Sequence, residues 1–509
     1  MAVTPQTELR LLKCNLNLDN NNQLTFASKT AQYNYFNGLT HKTITDISYQ
    51  RKDSYIRFPE HIDNLIEYNY VMYKNTNYSN KWFYAYVTKM EYENDNCTRV
   101  YIKTDVWQTW QFDLTFMRSF VEREHVNDDT LGKHTVPEDL ETGEYVVNSH
   151  LSDSYNDNVT MVYGATKSSG ELINTFGGVY HGIPSGVEYY HAHTLQDLKD
   201  ALTIYANNGA LDAVVSLFIA PEWLVDPHGA GTVLINNSYT PASFNLGISR
   251  ISSLNGYTPK NKKALCYPYC YILLTNGAGD SATYHQELWA LNSNNEMQLT
   301  VKGVLCPGCS IRAYPVNYNG DGLGIDYGLT LGKFPQLNWP ADQYTNWLTQ
   351  NAVNIGVQTT TGVIATAAGV ATGNPFAIAG GITSIASTMG SVYEHSLMPP
   401  QLRGNMNAGD VNTSMGANRY HAYRMTVKAE MGTIIDDFFS MYGYKVNTVK
   451  TPNITGRSNW NYVKLINPNI EGYIPQEDLS EIKDLFSNGI TLWHTTSHFL
   501  DYSQNNSII

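Results

Sequence analysis

Residues 343–393 contain no Asp, Glu, Lys or Arg, in a chain of 509 residues whose charged fraction is 16%. The run is rich in Ala, Gly, Thr, Ile and Val, and Gly373-Asn374-Pro375 divides it in two. Each half is long enough for a helix of roughly twenty residues, which is what a bilayer core of ~30 Å requires. Thr359 to Thr361, Ser384 and Ser387 keep it less apolar than a permanent anchor. Ala365, Gly369 and Gly373 recur at four-residue spacing, as do Ala377 and Gly381, which permits close helix approach in a membrane. The residues expected to carry membrane activity are Val353, Ile355, Val357, Val363, Ile364, Ala365, Gly369, Gly373, Pro375, Phe376, Ile378, Gly381, Ile382 and Ile385. A buried helical hairpin in a large core is the competing reading. The run's position as an insertion between two β-rich regions favours a hairpin that enters a membrane conditionally.

The rest of the composition narrows the class. A hydrophobic content of 42% suits a globular protein, and the length predicts two to four domains. Tyrosine is the outlier, with 37 residues beside abundant Asn, which suits β-sheets and extensive subunit interfaces. A formal charge of −13 argues against a nucleic-acid-binding surface, because phosphate contacts need Lys and Arg. It is compatible with a passage through which DNA slides without sticking. Six cysteines in this length do not make a disulfide scaffold, so synthesis in a reducing cytoplasm is expected. Met1 to Asn22 shows no basic-then-apolar pattern, so a Sec-type signal is not expected.

Along the chain, the first ~150 residues read as β-rich by alternation. Trp82, Tyr84 and Tyr86 alternate with Phe83, Ala85 and Val87, the run Arg99 to Val106 alternates similarly, and Asn94-Asp95-Asn96 between them reads as a hairpin turn through left-handed backbone. Thr194 and Asp197 form a capping box for a helix with Leu195, Leu198, Leu202 and Tyr205 on one face, closed by Asn207-Asn208-Gly209. Leu211 to Ala220 reads as a buried strand ended by Pro221, and Tyr257 to Tyr318 as strands and turns. Pro340 is expected to start a helix feeding the uncharged run, and Pro399-Pro400 to end the excursion. After Gln401 the chain reads as β-rich with one amphipathic helix, preceded by Pro475, faced by Leu479, Ile482, Leu485 and Phe486, and stopped by Asn488-Gly489. The expectation is a mainly β (α+β) protein with a tube- or barrel-like body interrupted by insertions. Its parts are an N-terminal β-rich domain over 1–150, a mixed region over 151–340, the hydrophobic loop over 341–400 and a C-terminal β-rich region over 401–509.

Little in the sequence points to catalysis or a cofactor. Cys266, Cys270, Cys306 and Cys309 could supply four thiolates to zinc, and Cys306-Pro307-Gly308-Cys309 has knuckle spacing; buried thiols in a β-region are the alternative. His181, His191 and His193 lack a carboxylate or cysteine at ligand spacing and read as surface histidines. Asn317, Asn319, Asp321 and Gly322 imitate the start of an EF-hand loop, but its twelfth position is Gly328, not Glu, so a turn is expected. Gly328 to Lys333 lacks Walker spacing, and neither a Gly-x-Ser-x-Gly elbow nor a His-Glu-x-x-His pair occurs. No enzyme activity and no cofactor are expected.

Several sequence blocks carry a resemblance. The first are Asn80-Lys81-Trp82-Phe83-Tyr84-Ala85, Asp105-Val106-Trp107-Gln108-Thr109-Trp110 and Ser119-Phe120-Val121-Glu122-Arg123-Glu124-His125-Val126. Tyr267-Pro268-Tyr269-Cys270 follows, then Pro399-Pro400-Gln401-Leu402 and Phe438-Phe439-Ser440-Met441-Tyr442-Gly443-Tyr444-Lys445. Asn461-Tyr462-Val463 and Asn488-Gly489-Ile490-Thr491-Leu492-Trp493-His494 complete the set. In these blocks the chain resembles the tail knob, or distal tail tube, proteins of small short-tailed phages of Gram-positive bacteria (the Salasmaviridae and Rountreeviridae, or picovirus, type). The resemblance implies a homohexameric ring of tail-tube-like β-barrel domains in the virion tail. It also implies a hydrophobic loop before Pro399-Pro400 that plugs the channel and then penetrates the host cytoplasmic membrane as the genome is ejected. The partners so implied are adjoining tail or collar tube proteins, a distal tail-tip protein, double-stranded DNA passing non-specifically through the lumen, and the host cytoplasmic membrane. A secreted pore-forming toxin with a conditional hairpin is the alternative, and a zinc-dependent hydrolase resting on the four cysteines is a third reading.

Overall fold

Alternating side chains on the strand Phe83–Asn94 divide between two cores, and that division organises the first part of the molecule. Ala85, Phe83 and Val87 pack in one cluster with Leu9, Leu11, Ile56, Val71, Tyr73 and Val100. Tyr84, Trp82 and Tyr86 point the other way, into a cluster with Leu12, Phe36, Tyr70 and Met72. The sheet that separates them has six antiparallel strands in the order His41–Ile47, Thr7–Leu12, Tyr70–Asn75, Phe83–Asn94, Cys97–Thr104, Tyr55–Phe58. Where both its faces are covered, at Tyr70 to Tyr73 and Phe83 to Val87, the central strands read as continuous apolar and aromatic runs, while the outer strands keep charged residues. The computed structural model describes residues 6–338 and 407–509, apart from 17, 20, 52, 54, 76–80, 135, 153–158, 209, 211–212, 226–231, 236–243, 276–280, 308–310, 320–328, 331–335, 409–410 and 413–419.

The chain forms two compact units, each assembled from separate stretches. Unit 1 comprises Met1–Gly143, Gly256–Pro268 and Ala429–Ile509. Besides the six-stranded sheet it holds a five-stranded one in the order Asn22–Leu24, Ile490–Trp493, Trp460–Ile466, Ser119–Glu124, Tyr444–Lys450. This sheet interleaves the two ends of the sequence: Asn22–Leu24 lies parallel to Ile490–Trp493, and Ser119–Glu124 is paired on both sides by C-terminal strands. Trp460 and Trp493 are fully buried in its core with Leu24.

Three local features of unit 1 differ from expectation. The hairpin at Asn94 forms, with Asn94 opposite Cys97, but its turn is held by the Asn94 side chain accepting from the Asn96 N–H at 3.0 Å, and neither Asp95 nor Asn96 has positive φ. The strand beginning at Cys97 ends at Thr104, because the Asp105 carboxylate accepts from the Gln108 N–H at 3.0 Å and starts the helix Val106–Trp110. Together with Lys29–Gly38, capped by Ser28, this puts two helices in a stretch read as β-rich. Among the described residues the C-terminal region likewise carries two helices, not one: Ala429–Tyr442 joins the expected Gln476–Asn488. The latter has the predicted face, with Leu479, Ile482, Leu485 and Phe486 buried, and it ends at Gly489 with φ +95°.

Unit 2 comprises Glu144–Asn255 and Tyr269–Lys428. Two of its sheets are four-stranded, one built around His421–Val427 and one around Met297–Gly303. A seven-stranded sheet runs Thr232–Leu234, Glu188–Ala192, Val159–Ala165, Val214–Pro221, Gln336–Asn338, Val411–Asn412, Asn407–Ala408, and Gly178–Tyr180 pairs with Ile183–Ser185 in a small hairpin. The helix Leu195–Asn207 opens with the expected reciprocal cap: Asp197 N–H donates to Thr194 Oγ1 at 3.1 Å, and Thr194 N–H donates to Asp197 Oδ2 at 2.8 Å. Leu198, Leu202 and Tyr205 of its predicted face are buried.

Candidate functional site

Where the uncharged run is rooted matters more than any cleft in the described residues. The strand Gln336–Asn338 precedes it and the strand Val411–Asn412 follows it, and these two pair antiparallel, Gln336 opposite Asn412 and Leu337 opposite Val411. Gln336–Asn338 is in turn fixed to Val214–Pro221, with Leu337 opposite Leu217. The chain thus departs from this sheet after Gln336–Asn338, and the next described strand, Asn407–Ala408, belongs to the same sheet one place further out, with Val411–Asn412 between the two. The run itself lies outside the described residues, and so do its fourteen expected membrane-active residues from Val353 to Ile385, the helix start at Pro340 and the stop at Pro399-Pro400. Among the described residues no helix is long and apolar enough to cross a membrane.

The motif residues of unit 1 converge on buried polar locks that tie distant stretches together. Asp436, fully buried on the helix Ala429–Tyr442, accepts from Tyr257 Oη at 2.7 Å, from the backbone N–H of Lys260 and Asn261 at 2.8 and 2.9 Å, and from Asn261 Nδ2 at 2.9 Å. That one carboxylate holds the Gly256–Pro268 stretch against the C-terminal helix. Arg457, also buried, donates to the Val126 carbonyl and forms a two-pronged ion pair with Asp129 at 2.7 and 3.1 Å. Glu124 is buried, pairs with Lys450 and accepts from the Asn453 N–H at 2.8 Å. Asp478 sits on the apolar face of Gln476–Asn488, where it pairs with both terminal nitrogens of Arg51 and accepts from Trp110 Nε1 at 2.8 Å. Asp105 accepts from Tyr70 Oη at 2.9 Å, and burial raises its carboxyl above the ordinary range.

His125 completes this framework. Its Nδ1 accepts from the Tyr462 N–H at 2.7 Å while Nε2 faces the Ser440 carbonyl at 3.1 Å, a pairing that suits the neutral ring protonated on Nε2. Burial and then the nearby Arg457 charge push its pKa down to about 3, and burial alone takes His494 to about 4. Gly443, in the Phe438 to Lys445 block, has φ +60°, and a Cβ there would sit 2.4 Å from the Glu124 backbone. The sequence reading missed every one of these locks. The available signal was a carboxylate inside an apolar helix stripe, at Asp436 between Gly432 and Phe439, and at Asp478 beside Ile482 and Leu485.

The weaker sequence candidates disperse. Cys266 is buried in unit 1 with Sγ donating to the Lys262 carbonyl at 3.6 Å. Cys270 belongs to unit 2, where its sulfur accepts from Gln286 Nε2 at 3.3 Å; Cys306 is half-buried in the same unit, and Cys309 lies outside the described residues. Among the described residues no three His, Cys, Asp or Glu side chains gather as metal donors. His191 is buried within its strand, not on the surface as expected, whereas His193 is exposed beyond the strand end, so the pair does not share a face. His181 is half-buried and accepts from the Leu305 N–H at 3.1 Å. Asn317 is left-handed, with φ 56°, and Asp321, Gly322 and Gly328 of the EF-hand imitation lie outside the described residues.

Comparison with known proteins assigns this architecture. A family model described as the C-terminal domain of Bacillus phage phi29 tail knob protein gp9 matches residues 235–507, more than half of the chain. The chain belongs to the phi29 gp9 tail knob family. Its residues 5–115 also match the Caudoviral major tail protein N-terminus, the stretch that builds the six-stranded sheet. Among its relatives, tail knob protein gp9 of Bacillus phage phi29 is 27% identical over 96% of each chain, and that of Bacillus phage B103 is 28% identical over 95% of each. The tail knob protein gp12 of bacteriophage C1 shares the fold with a TM-score of 0.67 at 17% identity, covering 99% of this chain and 100% of that one. The protein is thus a structural component of the phage virion tail, mainly β with some helices, in a family not known for enzymatic activity.

Proposed function

We propose that the chain assembles as a homohexameric distal tail tube through which the double-stranded genome is ejected. In this reading residues from about 343 to 398 form a stored loop that plugs the channel and then penetrates the host cytoplasmic membrane. The observation that supports the loop assignment is its root: the described strands before and after it, Gln336–Asn338 and Asn407–Ala408, belong to one sheet, joined through Val411–Asn412. A long uncharged excursion can then leave the body without unravelling it. The 1–150 and 401–509 stretches supply the tube's β-barrel, the 151–340 stretch is an insertion, and 341–400 is the loop. A charge of −13 suits a conduit, since few Lys and Arg are available to hold phosphates as DNA passes. Adjoining tail or collar tube proteins and a tail-tip protein would meet the two ends of such a ring.

Two measurements test this. Electron microscopy of the purified chain should show six-fold rings; a monomer at high concentration by light scattering rejects the tube. Liposomes should leak when the loop is exposed, and deleting 343–398 should keep rings while abolishing leakage. Leakage that survives the deletion rejects the loop assignment.

A further inference from the structure

A cavity of about 440 Å³ opens in unit 1 between the helix Lys29–Gly38 and the residues that precede the strand Phe83–Asn94. That volume lies within the range of small-molecule sites, roughly 300–1,000 Å³. Its wall combines two kinds of chemistry. Tyr33, Trp82 and Phe112 supply aromatic surface, with the Tyr33 and Trp82 rings 5.6 Å apart and tilted. Lys29 and Lys81 supply ammonium groups, bridged by the Asp113 carboxylate, which accepts from Lys29 Nζ at 2.9 Å and also from Lys81 Nζ. Each ammonium carries three donors and gives one to Asp113, so donors remain for a further acceptor.

The local charge departs from that of the protein. Arg10 stands with its guanidinium carbon 5.2 Å from the Trp82 ring centroid, and Lys74 Nζ lies 4.8 Å from it. Both pair with Glu8. The cavity wall itself carries two cations, Lys29 and Lys81, against one carboxylate, Asp113, and nearby Arg10, Lys74 and Arg51 face Glu8 and Asp478, in a chain whose overall charge is −13. Lys81 is also largely buried, with Nζ 3.3 Å from the Trp110 ring centroid. Lys29 and Lys81 tie their two segments together through Asp113, and that tie leaves donors on each ammonium and the aromatic wall beside the open cavity unused.

We propose that this cavity is a binding site for a small anionic saccharide. The sugar ring lies against Trp82 and Tyr33, and its phosphate or carboxylate meets the ammonium groups of Lys29 and Lys81. Aromatic faces pack the apolar side of a pyranose, and paired lysines reward a negative group. Neither half alone accounts for the lining.

Calorimetric titration of the full-length chain with glucose 6-phosphate, glucuronate, glucose and inorganic phosphate tests this and separates phosphate from carboxylate recognition. At least one of the two anionic sugars should bind about tenfold more tightly than either glucose or inorganic phosphate. Lys29→Gln, at an exposed side chain, should weaken that sugar by about tenfold. Trp82→Leu should weaken the sugar while leaving inorganic phosphate unchanged; a melting curve identifies a misfolded variant, in which case Lys29→Gln decides. Equal binding of inorganic phosphate and both sugars, no heat from either sugar, or an unchanged affinity in Lys29→Gln would each overturn the proposal.

Discussion

At the scale of single residues, the aromatic motifs are punctuated by charges that have one partner set and one geometry. Asp436 serves four donors from a stretch far away in sequence, and Asp436→Ala leaves the backbone N–H groups of Lys260 and Asn261 unsatisfied. The expected cost is about 3 kcal/mol in denaturant unfolding followed by tryptophan fluorescence. His125 gives a pH signature of definite sign. Its folded pKa of about 3 lies below the ordinary 6.5, so the unfolded chain takes up a proton that the folded chain refuses. Stability contributed by the neutral ring is complete above pH 6.5 and is lost as pH falls towards 3, by about 1.4 kcal/mol per pH unit. His494 adds the same dependence down to about 4. Unfolding midpoints between pH 7 and 4 should show this slope, and His125→Gln should reduce it; an identical slope in the variant refutes the assignment to His125.

Elements differ in how openly they announce themselves. The helix Leu195–Asn207 rests on its capping box, and Thr194→Ala is expected to cost about 1 kcal/mol by the same unfolding measurement. This helix and Gln476–Asn488 were legible because their caps and apolar spacing agree. Ala429–Tyr442 was not. Gly432 weakens its helical propensity, and Thr433, Ile434, Ile435, Phe438 and Phe439 are residues that equally suit a strand. Burial of Ile435 and Phe439 decided the matter, and burial is a tertiary fact. Lys29–Gly38 hid for the opposite reason, burying little beyond Gln32 and Phe36 and so showing no clear stripe. The candidate site divides in the same way. A run without charge is visible to anyone counting residues, and the family blocks stand in collinear order. The locks join Asp436 to Asn261 and Arg457 to Asp129, pairs whose members carry no local pattern pointing to one another.

For the whole molecule, the β-rich character and the kinship of the two ends were readable, while the pairing that joins them was not. Alternation tells which face a residue takes, never which strand lies alongside. Ile490–Trp493 sits between Asn22–Leu24 and Trp460–Ile466, so removing residues 490–509 should cost unit 1 its five-stranded sheet. A chain so shortened is expected to elute as aggregate in size-exclusion chromatography, whereas one lacking 343–398 elutes as a soluble species. Equal solubility of the two would contradict the role given to the last strand.

The parallel pairing of Asn22–Leu24 with Ile490–Trp493 also sets a clock. A ribosome making this chain has released residues 343–393 long before the strand that completes the sheet exists. Throughout that interval the uncharged run is in the cytosol beside an unfinished body whose edges are open. Slower elongation through the last hundred or so codons is thus expected to raise the share of the chain that aggregates before the sheet closes.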